Sequence, residues 1–179
     1  MKRIKARIRK GKKDLNRNIQ NLFEWIKGAE IIELKQCETE KDPVRPELNN
    51  EFRTSFGRKI YGVKYKDEIH AVMCFAYTNE IPKSVDELEK LSTDAFLQSA
   101  MRDQKGGQIA IAYTVWSKKK GGGKLIVKEV FKKIKKSNHL NRLVTLSPLT
   151  EMATNFHERN GAKLVQINET TQNFEYKVI

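Results

Sequence analysis

The chain has no long apolar run. Its longest, Ala71 to Tyr77, is far too short to cross a bilayer, so no membrane span is expected. Cysteine is scarce: Cys37 and Cys74 make no disulfide framework, and Cys74, inside "AVMCFAY", reads as a small core residue. Histidine is just as sparse. His70, His139 and His157 are scattered, and neither a CxxC nor an HxxxH pair occurs, so no metal site is expected. The N-terminus, "MKRIKARIRKGKK", lacks the apolar stretch a secretory signal needs, which makes the cytoplasm the expected compartment. Repeats, low-complexity tracts and linkers are missing as well, and 179 residues fit a single domain with a sizeable core.

Acidic residues are in deficit, with 22 Asp and Glu against 35 Lys and Arg, a net charge of +13. The imbalance is local. Residues 1–13 carry eight bases and no acid, and residues 118–136 hold nine lysines against the single Glu129. Two such blocks favour an anionic partner: a phosphate-bearing cofactor, nucleic acid or an acidic protein. Lysine-rich helices are usually just solvated faces, and no RNP-type or zinc-finger pattern of aromatics accompanies this one.

The element order reads as mixed α/β. Ile4, Ala6 and Ile8 alternate with bases at strand period, and Asp14 caps a helix whose stripe is Leu15, Ile19, Leu22, Phe23 and Ile26, ended by Gly28. "AEIIELKQC" fits a strand or a helix equally, and a polar, proline-bearing loop follows to Gly57. "KIYGVKYKDEIHAVMCFAYT" predicts a hairpin turning at Lys66-Asp67-Glu68. An insert over residues 79–107 holds a capping-box helix from Ser84 and Glu87 and a second short helix over "DAFLQSAMRDQ". "QIAIAYTVW" is a strand, "KLIVKEVFKKIKK" a helix buried through Leu125, Val127, Val130, Phe131 and Ile134, and "RLVTLSPL" a strand ended by Pro148. "TEMATNFHERNG" is a helix closed by Gly161, and two strands finish the chain. The strand–helix–strand centre implies a right-handed parallel crossover, with antiparallel pairing around it.

The junction "WSKKKGGGK" asks for an explanation. Lys118, Lys119 and Lys120 repel one another, and Gly121, Gly122 and Gly123 cost backbone entropy. An anion at the helix N-terminus would compensate, because unpaired amides and the helix dipole favour negative charge there and glycines let it approach. The turn is neither a Walker A loop nor a dinucleotide-binding fingerprint. A tight βα turn with a solvated lysine patch would account for the same residues.

Lys118-x-x-Gly121-x-Gly123 resembles the Q/R-x-x-G-x-G/A signature of the GCN5-related N-acetyltransferases, with Lys in the first position. "TEMATNFHERNGA" resembles the same family's N-x-x-A-x-x-F-Y-x-x-x-G-F pattern: Ala153, Phe156 and Gly161 match, while Thr150, His157 and Ala162 replace Asn, Tyr and Phe. Order and spacing, one strand between the motifs and two after them, add specificity. The resemblance implies a mixed, mostly antiparallel sheet splayed between its fourth and fifth core strands, with helices on both faces. It also implies acetyl-CoA, or another acyl-CoA, as co-substrate. The backbone of Val115 and Trp116 would then pair with the pantetheine arm. The amides of Gly121 to Lys124 would take the pyrophosphate, and Lys118, Lys119 and Lys120 would sit near the phosphates. Thr150 would bond the cofactor or simply cap its helix. His157, in the tyrosine position, would protonate the departing thiolate, an imidazolium being a stronger acid than a phenol. No general base stands out among Glu51, Glu68, His70 and Glu80, and the acceptor amine is not legible. A non-catalytic protein of this fold that binds nucleic acid or an acidic partner is the competing expectation.

Overall fold

The computed structural model describes residues 20, 21, 23–102 and 106–177. The expected first strand and the start of the first helix lie outside the described residues. Helix α1, described over residues 20, 21 and 23–28, leads into β1 (Glu30–Leu34), so the segment left open between helix and strand is a strand. The polar loop that follows holds a short 3₁₀ turn (Thr39–Lys41) and α2 (Asn50–Thr54).

Strands β2 (Lys59–Tyr65) and β3 (Glu68–Thr78) form the expected hairpin. Its turn is the two residues Lys66 and Asp67, at φ 49° and 65°, the left-handed pair of a type I′ connection. Then come α3 (Val85–Arg102), β4 (Ile109–Ser117), α4 (Gly122–Lys135), β5 (Arg142–Thr145), β6 (Ser147–Pro148), α5 (Glu151–Arg159), β7 (Ala162–Ile167) and β8 (Thr171–Tyr176). One mixed sheet runs β1-β2-β3-β4-β5-β8-β6, with β7 on β8; β4 and β5 are parallel and the other pairs antiparallel.

Alternation along the strands feeds two cores. Tyr61, Met73, Phe75, Ala110 and Ala112 meet Trp25 of α1 and Ile126, Val127, Val130 and Ile134 of α4 on one face. Ile60, Val72, Cys74, Ile111 and Tyr113 meet Leu48 and Leu88 of α3 on the other. The phase changes within β4: Phe75 faces Ala112 and Cys74 faces Thr114, which leaves Tyr113 as the extra residue of a β-bulge.

Three expectations need correction. At its described end the α1 stripe is not the buried face, since Phe23 is 60% exposed and Ile26 45%, while Trp25 is 1% exposed. Residues 85–102 form one helix, not two. Ser92 stays within it because its hydroxyl bonds back to the Glu89 carbonyl and accepts from Arg58 Nη1 at 2.9 Å. The strand expected to end at Pro148 does end there but breaks at Leu146 into β5 and β6, both paired with β8. Among the described residues no helix is long and apolar enough to cross a membrane.

Candidate active-site cleft

Strands β4 and β5 pair from Ile109 and Arg142 as far as Ala112 and Thr145, with a last bond from the Leu146 amide to the Ala112 carbonyl. Beyond that point they part. From Tyr113 to Ser117, β4 has β3 on one side and, among the described residues, no strand on the other. The bulge at Tyr113 turns β4 aside, while β6 continues along β8 as β5 does.

The parting is held by a side chain. Arg45 is 7% exposed; its Nε donates to the Tyr113 carbonyl at 3.0 Å and its Nη2 to the Leu146 carbonyl at 3.1 Å. Its loop is anchored by a fully buried ion pair, Arg53 Nη2 to Asp42 Oδ2 at 2.8 Å. Asp42 also accepts from Thr114 Oγ1 of β4 at 2.9 Å and from the amides of Val44 and Arg45. None of these three residues stood out in the sequence. The run "DPVRP" carried a signal, because an aspartate ahead of proline is a common start for a turn closed by its own carboxylate.

Between the splayed strands lies a cleft of about 530 Å³. Val115, Trp116, Lys118, Gly123, Thr150 and His157, all expected at the site, line it. Lys119, Lys120, Gly121, Gly122 and Lys124 are not among its lining residues. Lys119 lies 4.9 Å over the rings of Trp25 and Tyr65 on the other face of the turn. Gly121 holds φ 85° as the N-cap of α4, which a side chain would strain. Gly122 is buried; a Cβ there would lie 2.9 Å from that of Ser117, so its lack of side chain serves packing. At Gly123 a Cβ would come within 3.2 Å of the Phe156 ring, on the cleft wall. Leu125 bonds back to the Gly121 carbonyl, so the amides of Gly123 and Lys124 precede that bond at the helix head.

The mouth is basic and latched. Glu38 pairs with both Lys41 and Lys118, and both lysines line the cleft. These pairs hold the Glu38 carboxyl below its ordinary range, the hydrogen bond from Lys118 being the largest cause. The buried Trp116 Nε1 has no hydrogen-bond partner among the described residues, and Trp116 lines the same cleft.

At the opposite wall His157 is 4% exposed. Its Nε2 is 2.8 Å from Ser147 Oγ and its Nδ1 2.9 Å from the Tyr176 hydroxyl, while its ring stacks on Phe174 at 5.1 Å. Ser147 in turn donates to Thr145 Oγ1 at 3.1 Å. A neutral ring protonated on Nε2, with Tyr176 donating to Nδ1, satisfies the whole chain. Burial pushes the His157 pKa from its ordinary 6.5 down to about 4. A standing imidazolium is disfavoured here, because a charged ring would lose its hydration and among the described residues no carboxylate bonds it. Thr150 caps α5, its Oγ1 accepting from the Ala153 amide at 3.3 Å. Among the described residues no group of three or more His, Cys, Asp or Glu is placed to hold a metal ion.

No family model matches the chain, and no curated protein matches it. Solved structures do. A GNAT-like decarboxylase, GphF, in complex with isobutyryl-CoA superposes with a TM-score of 0.63 at 10% identity, over 84% of this chain and 100% of that one. The chain has the GNAT fold. The loading GNATL domain of CurA from Lyngbya majuscula follows at 0.60 and 10% identity, over 84% and 98% of the two chains. A Bacillus subtilis acetyltransferase in complex with CoA follows at 0.58 and 11%, over 84% and 99%. The fold read from the two motifs is thus borne out, and in this GNAT fold the splay lies between β4 and β5 as the resemblance implied.

Proposed function

We propose that this protein is an acyl-CoA-dependent N-acyltransferase that moves an acetyl group from acetyl-CoA to an amine in the cytoplasm. The observation that carries this reading is the edge of β4 from Thr114 to Ser117, which no described strand pairs, facing a cleft whose mouth holds Lys41, Lys118 and the head of α4. Pantetheine is an extended chain with two amides, and an unpaired strand edge is the partner it needs. The backbone of Val115 and Trp116 pairs with it. The amides at the head of α4 and the ammonium groups of Lys118 and Lys41 take the phosphates, releasing Glu38. Thr150 stays a helix cap beside the donor.

In the transfer, the amine nitrogen attacks the thioester carbonyl. The C–N bond forms, the C–S bond breaks, and the proton lost by the amine is balanced by one gained at sulfur. Holding donor and acceptor together supplies much of the acceleration. His157 contributes as a neutral ring whose Nε2–H holds Ser147 Oγ, and the Ser147 hydroxyl turns from Thr145 to donate to the departing thiolate. Thiol release from acetyl-CoA, assayed against pooled small amines, peptides and polyamines, tests the reading: a turnover that needs both donor and amine supports it, and no turnover with any pool contradicts it.

A further inference from the structure

A second cavity, of about 460 Å³, opens at the other end of the sheet, where β4 begins, between α3 and the last turns of α4. The rings of Tyr61 and Tyr77 line it from the strands, and those of Phe56 and Phe96 from the side. Phe56 and Phe96 are each 41% exposed and meet edge to face at 6.1 Å. Phe56 holds a left-handed backbone, φ 51°, which is unfavourable for a bulky side chain. A strained residue that keeps an aromatic ring in solvent is the kind of outlier that accompanies binding.

The rim is cationic. Lys59, Lys133 and Lys136 line the cavity, and among the described residues no carboxylate does. Lys133 lies 4.5 Å over the Tyr61 ring, a cation–π contact that leaves its ammonium at the opening. The charge continues outward along α4 through exposed Lys128, Lys132 and Lys135, a run of about 12 Å from Lys128 to Lys136 at helical rise. Lys132 is answered by Glu129 at 2.7 Å. The cavity end of this 14-residue helix, at Lys133 to Lys136, lies about 16–21 Å from the glycine turn, too distant to serve phosphates held there.

Exposed rings beside a line of ammonium groups fit a planar base followed by phosphates. We infer that this surface binds single-stranded nucleic acid, one unstacked base resting on Phe56 and Phe96 and the backbone tracking the lysines of α4. A duplex would keep its bases from the rings, and a free nucleotide would use only the first lysines of the run. Stacking gives such binding little sequence preference.

The test is fluorescence anisotropy of a short labelled single-stranded oligonucleotide at two salt concentrations, with acetyl-CoA affinity and circular dichroism measured in parallel. The parent binds, and affinity falls with salt by about 0.7 in log–log slope per phosphate contacted. Phe96→Ala weakens binding about tenfold. Phe96→Leu, which keeps apolar bulk and loses the ring, does the same. Lys133→Gln with Lys136→Gln lowers the slope by about 1.4. None of these changes alters acetyl-CoA affinity. The proposal is overturned if the parent fails to bind at low salt, or if a folded Phe96 variant binds as the parent does. It is also overturned if a mononucleotide competes as well as the oligonucleotide.

Discussion

Arg45 Nη2 donates to the carbonyl of Leu146 at 3.1 Å while its Nε donates to that of Tyr113 at 3.0 Å, so one guanidinium spans the two chain segments where β4 and β5 part. It satisfies carbonyls that ladder bonds would otherwise take, and acts as a wedge at the narrow end of the cleft. Arg45→Met leaves two buried acceptors unpaired, at about 1–3 kcal/mol each, and lets the strands close. The expected result is a lower Tm and at least a tenfold loss of acetyl-CoA affinity. Binding of 3′-phospho-ADP, the donor's head without its pantetheine, changes little. Equal losses for both ligands would mean general unfolding in place of a wedge.

The wedge rests on Asp42 and Arg53, both fully buried in their ion pair. Removing one partner strands the other charge, which costs about 3–5 kcal/mol. Asp42→Asn is therefore expected to be among the most destabilising single changes in the chain, as read by urea denaturation. A change within about 0.5 kcal/mol of the parent, the size of an ordinary surface substitution, would contradict the pairing.

Gly121→Val with Gly123→Val joins two effects: strain at φ 85°, and a side chain pressed toward Phe156 on the cleft wall. The variant is expected to fold with a lower Tm and to bind neither CoA nor acetyl-CoA. Unchanged affinity in a folded variant would remove the turn from the donor site.

His157 stays neutral in the fold down to about pH 4, whereas the unfolded chain gains its proton near 6.5. The unfolded state therefore binds more protons between those values, and stability falls as pH drops through this window, by up to about 1.4 kcal/mol per unit. His157→Phe is expected to be less stable at pH 7, since Ser147 and Tyr176 lose their partner, but to show a shallower decline from pH 6.5 to 4. In turnover it is expected to cost about a hundredfold in kcat with little change in acetyl-CoA affinity. An unaltered pH profile would show that the ring titrates normally.

What the sequence made legible was local. The alternation of "QIAIAYTVW", the glycine turn and the apolar period of "KLIVKEVFKKIKK" place a strand, a turn and a helix from neighbouring residues alone, and the structure has all three. The stripe of α4 was incomplete, since Ile126, fully buried, was not on it. What stayed hidden depends on distance. Arg45 meets carbonyls 68 and 101 residues away, and no local pattern signals such a bond. The α1 stripe failed for a similar reason: the face that is buried is chosen by the sheet and by Lys119 over Trp25, not by the helix's own periodicity. His157 was visible as a motif position. Its neutrality was not, because it comes from Phe174, Tyr176 and Ser147 closing around the ring.

If the cleft between β4 and β5 holds acyl-CoA, the unmodified chain binds acetyl-CoA in solution. Titration calorimetry of the unmodified chain with acetyl-CoA tests it most directly. The expected result is a saturable one-to-one isotherm with Kd between about 1 µM and 1 mM, the range usual for KM, lost in the Gly121→Val, Gly123→Val double variant. No heat of binding at millimolar acetyl-CoA, from protein shown to be folded, would contradict it.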